Sequence, residues 1–256
     1  MRRKGRTIGI VLVPMLLLSA LLAPAPAPLF AEEDWPRPIE DNPVIYLLLF
    51  DQLEYRAHDG SSTFHWDVQG WIGGDYNRIW LKTEGEQRLS NDHGGEAEVQ
   101  LLYSRLISPY FDFQAGLRHD EVYGAGPQEA RSFAVISVQG LGLYWFELEF
   151  AAFVSEDGDL SARLTGEYDF LITQRLVLQP RLETEIGVQE VEEFGVGQGL
   201  NGIELGLRLR YEILRELAPY VGISWATKLG ETADLARREG DDVESFSVLL
   251  GVRMWF

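Results

Sequence analysis

The end of the chain places an apolar side chain at every second position. In the closing segment these residues are Phe246, Val248, Leu250, Val252, Met254 and Phe256. Successive side chains of a β-strand point to opposite faces, so this spacing predicts a strand with one apolar face. The last residue is also aromatic, which is typical of the closing strand of an outer-membrane β-barrel.

The two-residue period recurs upstream and predicts twelve strands in all. Each segment carries apolar residues on one parity and polar or charged residues on the other. In the first segment Leu47, Leu49, Leu53 and Tyr55 share the apolar parity, and Asp51 interrupts it. Twelve is even, as is usual for bacterial single-chain barrels. The predicted strands are Val44–Arg56, Thr63–Ile72, Arg78–Glu86, Glu96–Leu106, Phe111–Asp120, Ser132–Gly140, Tyr144–Val154, Leu160–Phe170, Leu178–Ile186, Ile203–Ile213, Pro219–Thr227 and Phe246–Phe256.

Connections between the predicted strands alternate in length. Outer-membrane barrels have short periplasmic turns and longer outer loops. With a periplasmic N-terminus, the predicted inner turns are all short and the outer set contains the long connections. The predicted turns are 73–77, 108–109, 140–143, 173–174 and 214–217, and the long loops are 87–95, 121–131, 190–200 and 228–242.

This pattern predicts an all-β fold, a transmembrane antiparallel β-barrel of about twelve strands over residues 43–256. Lipid offers no hydrogen-bond partners, so a spanning sheet must close on itself, with its apolar parity facing lipid and its charged parity facing the lumen. The alternative is a soluble β-sandwich or lipocalin-like barrel with the apolar parity inside. In that alternative the charged parity would face water, and aromatic residues would not be concentrated at the strand ends.

The N-terminus predicts export. Four basic residues before position 7 precede an apolar stretch over 8–22 and an Ala-Pro repeat, which indicates a signal peptide over 1–31. A retained single-helix anchor is the alternative. Residues 32–42 are acidic and lack periodicity, which predicts a short flexible periplasmic lead-in. We therefore expect the protein in the outer membrane of a Gram-negative cell, with its lipid as a partner.

Composition limits the partners and the metal chemistry. The formal charge is −18, which argues against nucleic acid as a partner and fits cations better. Cysteine is absent, so neither disulfides nor thiolate metal ligands contribute. Methionine occurs only as Met1, Met15 and Met254, which leaves thioether ligation of a metal unsupported.

Several stretches resemble the copper resistance protein B family of outer-membrane proteins. These are Trp71–Trp80, Lys82–Glu86, Gly140–Phe146, Gly206–Ile213, Arg215–Gly222 and Gly251–Phe256. The resemblance runs in order over about residues 44–256. It implies a barrel that binds copper ions and contributes to copper resistance, by sequestering copper or limiting its passage, with periplasmic copper-resistance proteins as possible partners. Family members often carry a methionine-rich and histidine-rich segment ahead of the barrel, and the lead-in contains neither residue.

Imidazole and carboxylate groups suit Cu(II), which makes lumen-parity residues the candidate ligands. The candidates are His65 with Asp67 on one strand, and Glu84 and Glu86 on the next. The alternative for His65 is an ordinary hydrogen-bonded lumen histidine. His58 and His93 are predicted in outer loops, and His119 near the outer rim.

No arrangement of residues indicates an enzyme. No serine is paired with a histidine at a suggestive spacing, and Gly195–Gly199 lacks the strand-to-helix context of a phosphate loop. We therefore expect no enzymatic activity. The rival to a copper function is a general solute channel or a structural barrel whose lumen charges have no metal role.

Overall fold

The computed structural model describes residues 43–58, 61–89, 94–124, 129–142 and 145–256. The predicted signal peptide, the predicted lead-in and His93 lie outside these ranges. Nearly all of the regular structure is β-strand. The strands are β1 (Ile45–His58), β2 (Ser61–Gly73), β3 (Asn77–Arg88), β4 (Gly95–Ser108), β5 (Phe111–Tyr123), β6 (Glu129–Leu141), β7 (Glu147–Ser155), β8 (Leu160–Glu167), β9 (Phe170–Leu171), β10 (Leu176–Gly187), β11 (Gly199–Tyr211), β12 (Leu217–Lys228) and β13 (Glu244–Trp255).

The strands form one closed antiparallel barrel. Consecutive strands pair along the chain, apart from the division into β8 and β9, and β1 also pairs with β13, which closes the sheet into a barrel. Both β8 and β9 pair with β10, so they are two parts of one strand interrupted at Tyr168 and Asp169. The barrel therefore has twelve strands, which confirms the predicted fold and count.

The barrel is apolar outside and polar inside. Leu101, Leu117 and Ile136 point outward and are more than half exposed, whereas Gln114 and Ser104 point inward and are almost fully buried. A soluble sandwich or lipocalin-like barrel would show the reverse arrangement, so that alternative is wrong. An apolar outer face on a sheet without edges satisfies the two physical requirements for a lipid-embedded barrel.

A β-bulge at Asp51 changes the parity of β1. Phe50 pairs with Val68 and Gln52 pairs with Asp67, so Asp51 is the extra residue between them. Asp51 and Gln52 are both buried, because the bulge directs two consecutive side chains inward. Before the bulge the odd-numbered residues face the lumen. The prediction that Leu47 and Leu49 share the outward face of Leu53 is therefore wrong. Leu49 lines a lumen cavity, and Leu47 is paired with Trp71, which packs against inward-facing apolar residues.

The two ends of the barrel differ. The five predicted turns all lie at one end, here called the short-turn end, where β1 begins and β13 ends. The opposite end, the long-loop end, carries the two longest connections, 188–198 and 229–243. These correspond to the predicted long loops 190–200 and 228–242. The predicted loops 87–95 and 121–131 are shorter than expected, because β3 extends to Arg88, β4 begins at Gly95, β5 extends to Tyr123 and β6 begins at Glu129.

A helix that the sequence analysis did not predict, α1 (Gly230–Glu239), lies in the connection 229–243. Its residues Ala233 and Ala236 are buried, and it packs against the connection 188–198, where Thr232 Oγ accepts a hydrogen bond of 2.8 Å from the Gly197 amide. A β-carbon at Gly197 would lie 2.4 Å from the Thr232 nitrogen, so glycine is required for this approach. Among the described residues, no helix is long and apolar enough to cross a membrane.

Candidate functional site in the barrel lumen

Two cavities occupy the lumen. The long-loop cavity, of about 460 Å³, is lined by residues such as His65, Glu86 and Glu96. The short-turn cavity, of about 250 Å³, is lined by residues such as Asp67 and Glu167. Inward-pointing residues of the strands line both cavities, so their chemistry follows from the charged parity of the sequence.

A charged partition lies where the two cavities meet. Its centre is Arg163 on β8, whose guanidinium nitrogens lie 3.1 Å from Glu98, 3.5 Å from Glu84 and 3.6 Å from Glu183. These four residues line both cavities, and we refer to them as the partition. Arg163 also lies 3.0 Å from Glu185 in the long-loop cavity. Of the partition residues, only Glu84 is among the candidate ligands predicted from the sequence.

An apolar cluster supports the partition from one side. Its inward-facing members are Trp80, Leu102, Phe133, Val135, Ala151 and Phe153. The guanidinium of Arg118 lies 4.5 Å from the ring centre of Phe153, and one of its nitrogens forms an ion pair with Glu98 at 2.8 Å. The sequence does not indicate this cluster, because β6 and β7 carry apolar residues on both parities and the outward set alone already accounts for the alternation. Its effect is to narrow the lumen and to hold the arginines in place.

The four predicted metal ligands lie next to one another on β2 and β3. His65 is directly opposite Glu86, and Asp67 is directly opposite Glu84. His65 Nε2 lies 3.9 Å from Glu84 Oε1, is buried, and has no hydrogen-bond partner. Asp67 lies 3.6 Å from Arg181. In the parts of the chain that the structure describes, no three His, Cys, Asp or Glu side chains are positioned to hold a metal ion.

The other described histidines are hydrogen-bonded outside this site. The His58 ring nitrogen Nε2 lies 2.7 Å from Ser61 Oγ at the long-loop end of β1. His119 is exposed, and its Nδ1 lies 3.0 Å from Ser132 Oγ. Neither side chain is among those lining the two cavities. His65 is therefore the imidazole of the described chain that faces the lumen cavities.

A group of side chains fastens the connection 188–198 over the long-loop cavity. Asp159 accepts hydrogen bonds from Arg131 and, at 2.9 Å, from Gln189 of this connection. The Arg131 guanidinium lies 5.1 Å from the ring centre of Phe133 and 4.4 Å from that of Phe194. The hydrogen bonds from Gln189, Ser155 and Arg131 lower the pKa of Asp159. We call Arg131, Asp159, Gln189 and Phe194 the latch.

Replacing Asp159 with alanine is expected to release this connection. Gln189 loses its acceptor and Arg131 loses its counter-ion, while Phe194 keeps only the cation–π contact. Cleavage after Phe194 by chymotrypsin in the detergent-solubilised barrel should then become several-fold faster, because proteolysis follows local opening. The control is Asp234→Ala, which removes an exposed aspartate paired with Arg237 on α1. Equal cleavage rates in both variants would show that the latch does not restrain the loop.

Comparisons with known proteins agree with the resemblance. The family described as "Copper resistance protein B precursor (CopB)" matches residues 44–256. "Copper resistance protein B" of Escherichia coli is 48% identical over 218 residues, which is 85% of this chain and 72% of that protein. "Copper resistance protein B homolog" of Pseudomonas syringae pv. tomato is 39% identical over the same shares of the two chains.

Among solved structures, two porins share the fold. The KdgM porin has a TM-score of 0.50 at 12% identity, covering 83% of this chain and 99% of its own. The NanC porin has a TM-score of 0.54 at 11% identity, covering 79% and 98%. At these low sequence identities the similarity shows a shared barrel fold and carries no conclusion about function. The match over nearly the whole barrel and the 48% identity with a curated relative show that this chain belongs to the copper resistance protein B family.

Proposed function

We propose that this protein contributes to copper resistance as a non-enzymatic outer-membrane barrel whose lumen binds copper ions, sequestering them or limiting their passage. Membership of the family supports the link to copper. The observation that carries the proposed mechanism is His65, an imidazole buried in an acidic lumen with Nε2 unpaired. Neutral imidazole nitrogen is among the commonest ligand atoms for copper.

The charge of the lumen supports a cation as the ligand. Eleven acidic residues but four arginines line the long-loop cavity. Eight acidic residues but three basic ones line the short-turn cavity. Low-dielectric walls around an excess of one charge concentrate the opposite charge, so both cavities favour cations. Glu84 and Glu86 flank His65 across the β2–β3 pair and supply oxygen atoms of the kind that Cu(II) accepts.

Copper binding at this place requires a small rearrangement. Glu84 is shared with Arg163 at 3.5 Å, and Glu86 lies 3.9 Å from Arg56. A divalent cation would compete with these guanidinium groups for the carboxylates, while His65 offers a nitrogen that no other group uses. Met254 is the one methionine in the described chain, so oxygen and nitrogen rather than thioether ligands carry the proposal.

The membrane setting of the proposal follows from the surface. Exposed leucine, isoleucine, valine and aromatic side chains cover the outward face of the closed sheet. We propose outer-membrane lipid as its surroundings, with the short-turn end in the periplasm, where other copper-resistance proteins would meet it.

A strain that lacks the protein should grow less well in elevated copper, and unchanged tolerance would favour a structural or general solute barrel.

The sharpest test of the site replaces His65 with alanine. Cu(II) affinity of the purified barrel, titrated in detergent, should fall about tenfold or more because a nitrogen ligand is lost. His119→Ala serves as the matched control, since it removes an exposed imidazole outside both cavities. An unchanged affinity in His65→Ala would remove this histidine from the site, and absence of copper binding by the unaltered barrel would contradict lumen binding altogether.

A further inference from the structure

The two cavities are arranged in series along the lumen. The long-loop cavity reaches Glu129 and Phe194 at one end, and the short-turn cavity reaches Glu147 and Leu141 at the other. Residues of the partition line both. Together the cavities trace a route through the barrel that is lined mainly by carboxylates and interrupted in the middle.

The interruption is built from opposite walls of the barrel. Arg163 extends from β8, which pairs with β7 and β10. Its partners Glu84 and Glu98 belong to β3 and β4, which are several strands away in either direction around the sheet. The guanidinium therefore crosses the lumen and ties the two walls together, with Glu183 on the neighbouring strand β10 holding its near side.

Arg163 remains a cation under all physiological conditions, since guanidinium does not lose its proton in proteins. A guanidinium held by carboxylates in a narrow passage obstructs it sterically and repels an arriving cation. If this single charge is removed, the surrounding carboxylates Glu84, Glu98 and Glu183 remain and the route becomes more strongly acidic. Rings of acidic side chains are how many pores select cations.

We propose that Arg163 is the plug of a cation route through the barrel, closing it by spanning the lumen between Glu84 and Glu98 on one wall and Glu183 on the other. The route is a general property of the lumen, for monovalent as well as divalent cations. It shares its location with the proposed copper function but does not depend on it. Opening requires the guanidinium to be displaced from its carboxylates, as a cation competing for Glu84 would do.

The test is the conductance of Arg163→Gln barrels in planar lipid bilayers, in KCl without copper. Glutamine is shorter and uncharged, so conductance should rise several-fold over that of the unaltered barrel. The reversal potential in a KCl gradient should also shift toward that of potassium. Arg56→Gln is the matched control: it removes one arginine charge from the long-loop cavity, where Arg56 pairs with Glu54, Glu86 and Glu204 and not with a partition residue, and it should change conductance little. Equal conductance of Arg163→Gln and unaltered barrels would overturn the proposal.

Folding of the variant is checked separately. Arg118 lies 2.8 Å from Glu98 in the unaltered barrel and can keep this ion pair when Arg163 is replaced, so part of the charge compensation should survive. The double variant Glu98→Gln/Arg163→Gln removes one carboxylate as well, and its folded state can be confirmed by altered migration in unheated detergent gels. It should also conduct better than the unaltered barrel, with weaker cation preference. If the double variant folds but conducts no better than the unaltered barrel, the proposal is contradicted even if the single variant fails to fold. The copper titration of His65→Ala tests the proposed function separately, because it does not depend on either conductance result.

Discussion

Replacing Arg208 with alanine is expected to destabilise the barrel by about 3–5 kcal/mol, the usual cost of leaving one buried charge without its partner. Arg208 Nε donates to Glu54 Oε1 at 2.5 Å, and its terminal nitrogen donates to Gln52 Oε1 at 2.7 Å. Glu54 is fully buried and Arg208 is 2% exposed, so water cannot replace the lost hydrogen bonds. Arg56, which donates to Glu54 at 3.0 Å, would compensate only in part.

The measurement is urea-induced unfolding of the barrel in lipid or detergent, followed by the loss of altered gel migration or by tryptophan fluorescence. Arg237→Ala is the control, because Arg237 forms an equally direct ion pair with Asp234 on the exposed surface of α1. Exposed pairs contribute about 0–1 kcal/mol, so this variant should unfold almost like the unaltered barrel. The double variant Glu54→Gln/Arg208→Met should recover part of the loss. A small effect of Arg208→Ala would mean that the lumen admits enough water to solvate Glu54.

The sequence was sufficient to predict the barrel because its signal is local. A two-residue period can be recognised within each segment, without knowing which distant residues it contacts. It was sufficient to locate all twelve strands and the end of the barrel at which the short turns lie. The parity of β1 was predicted wrongly at Leu47 and Leu49, because a single extra residue at Asp51 reverses the faces. A charged residue within an apolar parity was the signal that could have indicated the bulge.

The lumen site was predictable only in part because it depends on contacts across the barrel. The period shows that His65, Glu84 and Arg163 all point inward, but it does not show which of them meet. The meeting of Arg163 with Glu98 depends on the stagger of the closed sheet, which brings residues 65 positions apart into contact. Helix α1 was missed for a similar reason, since its short buried face is defined by the connection 188–198 rather than by a long amphipathic pattern.

Replacing Gly116 with alanine, in the middle of β5, is also expected to destabilise the barrel strongly. The backbones of β4 and β5 approach each other closely at this position. A β-carbon at this position would lie 2.0 Å from the Leu101 carbonyl oxygen and 2.8 Å from the Leu102 α-carbon on β4. Because both are backbone atoms, no change of side-chain rotamer relieves the clash, and the β4–β5 pair must separate. Overpacking typically costs about 1–3 kcal/mol, and a backbone clash within a closed sheet should reach or exceed the upper end of that range.

Gly166→Ala is the matched control for this effect. Gly166 also lies within a strand, but its β-carbon would meet one atom, a methyl group of Leu148 at 3.4 Å, which is ordinary contact. Urea unfolding and the yield of folded barrel from refolding in detergent should therefore separate the two variants, with Gly116→Ala strongly impaired and Gly166→Ala close to the unaltered protein. If Gly116→Ala folds with equal yield and stability, β4 and β5 can move apart without loss. The contacts of Glu98 on β4 with Arg118 on β5 and with Arg163 would then be far less rigid than the plug requires.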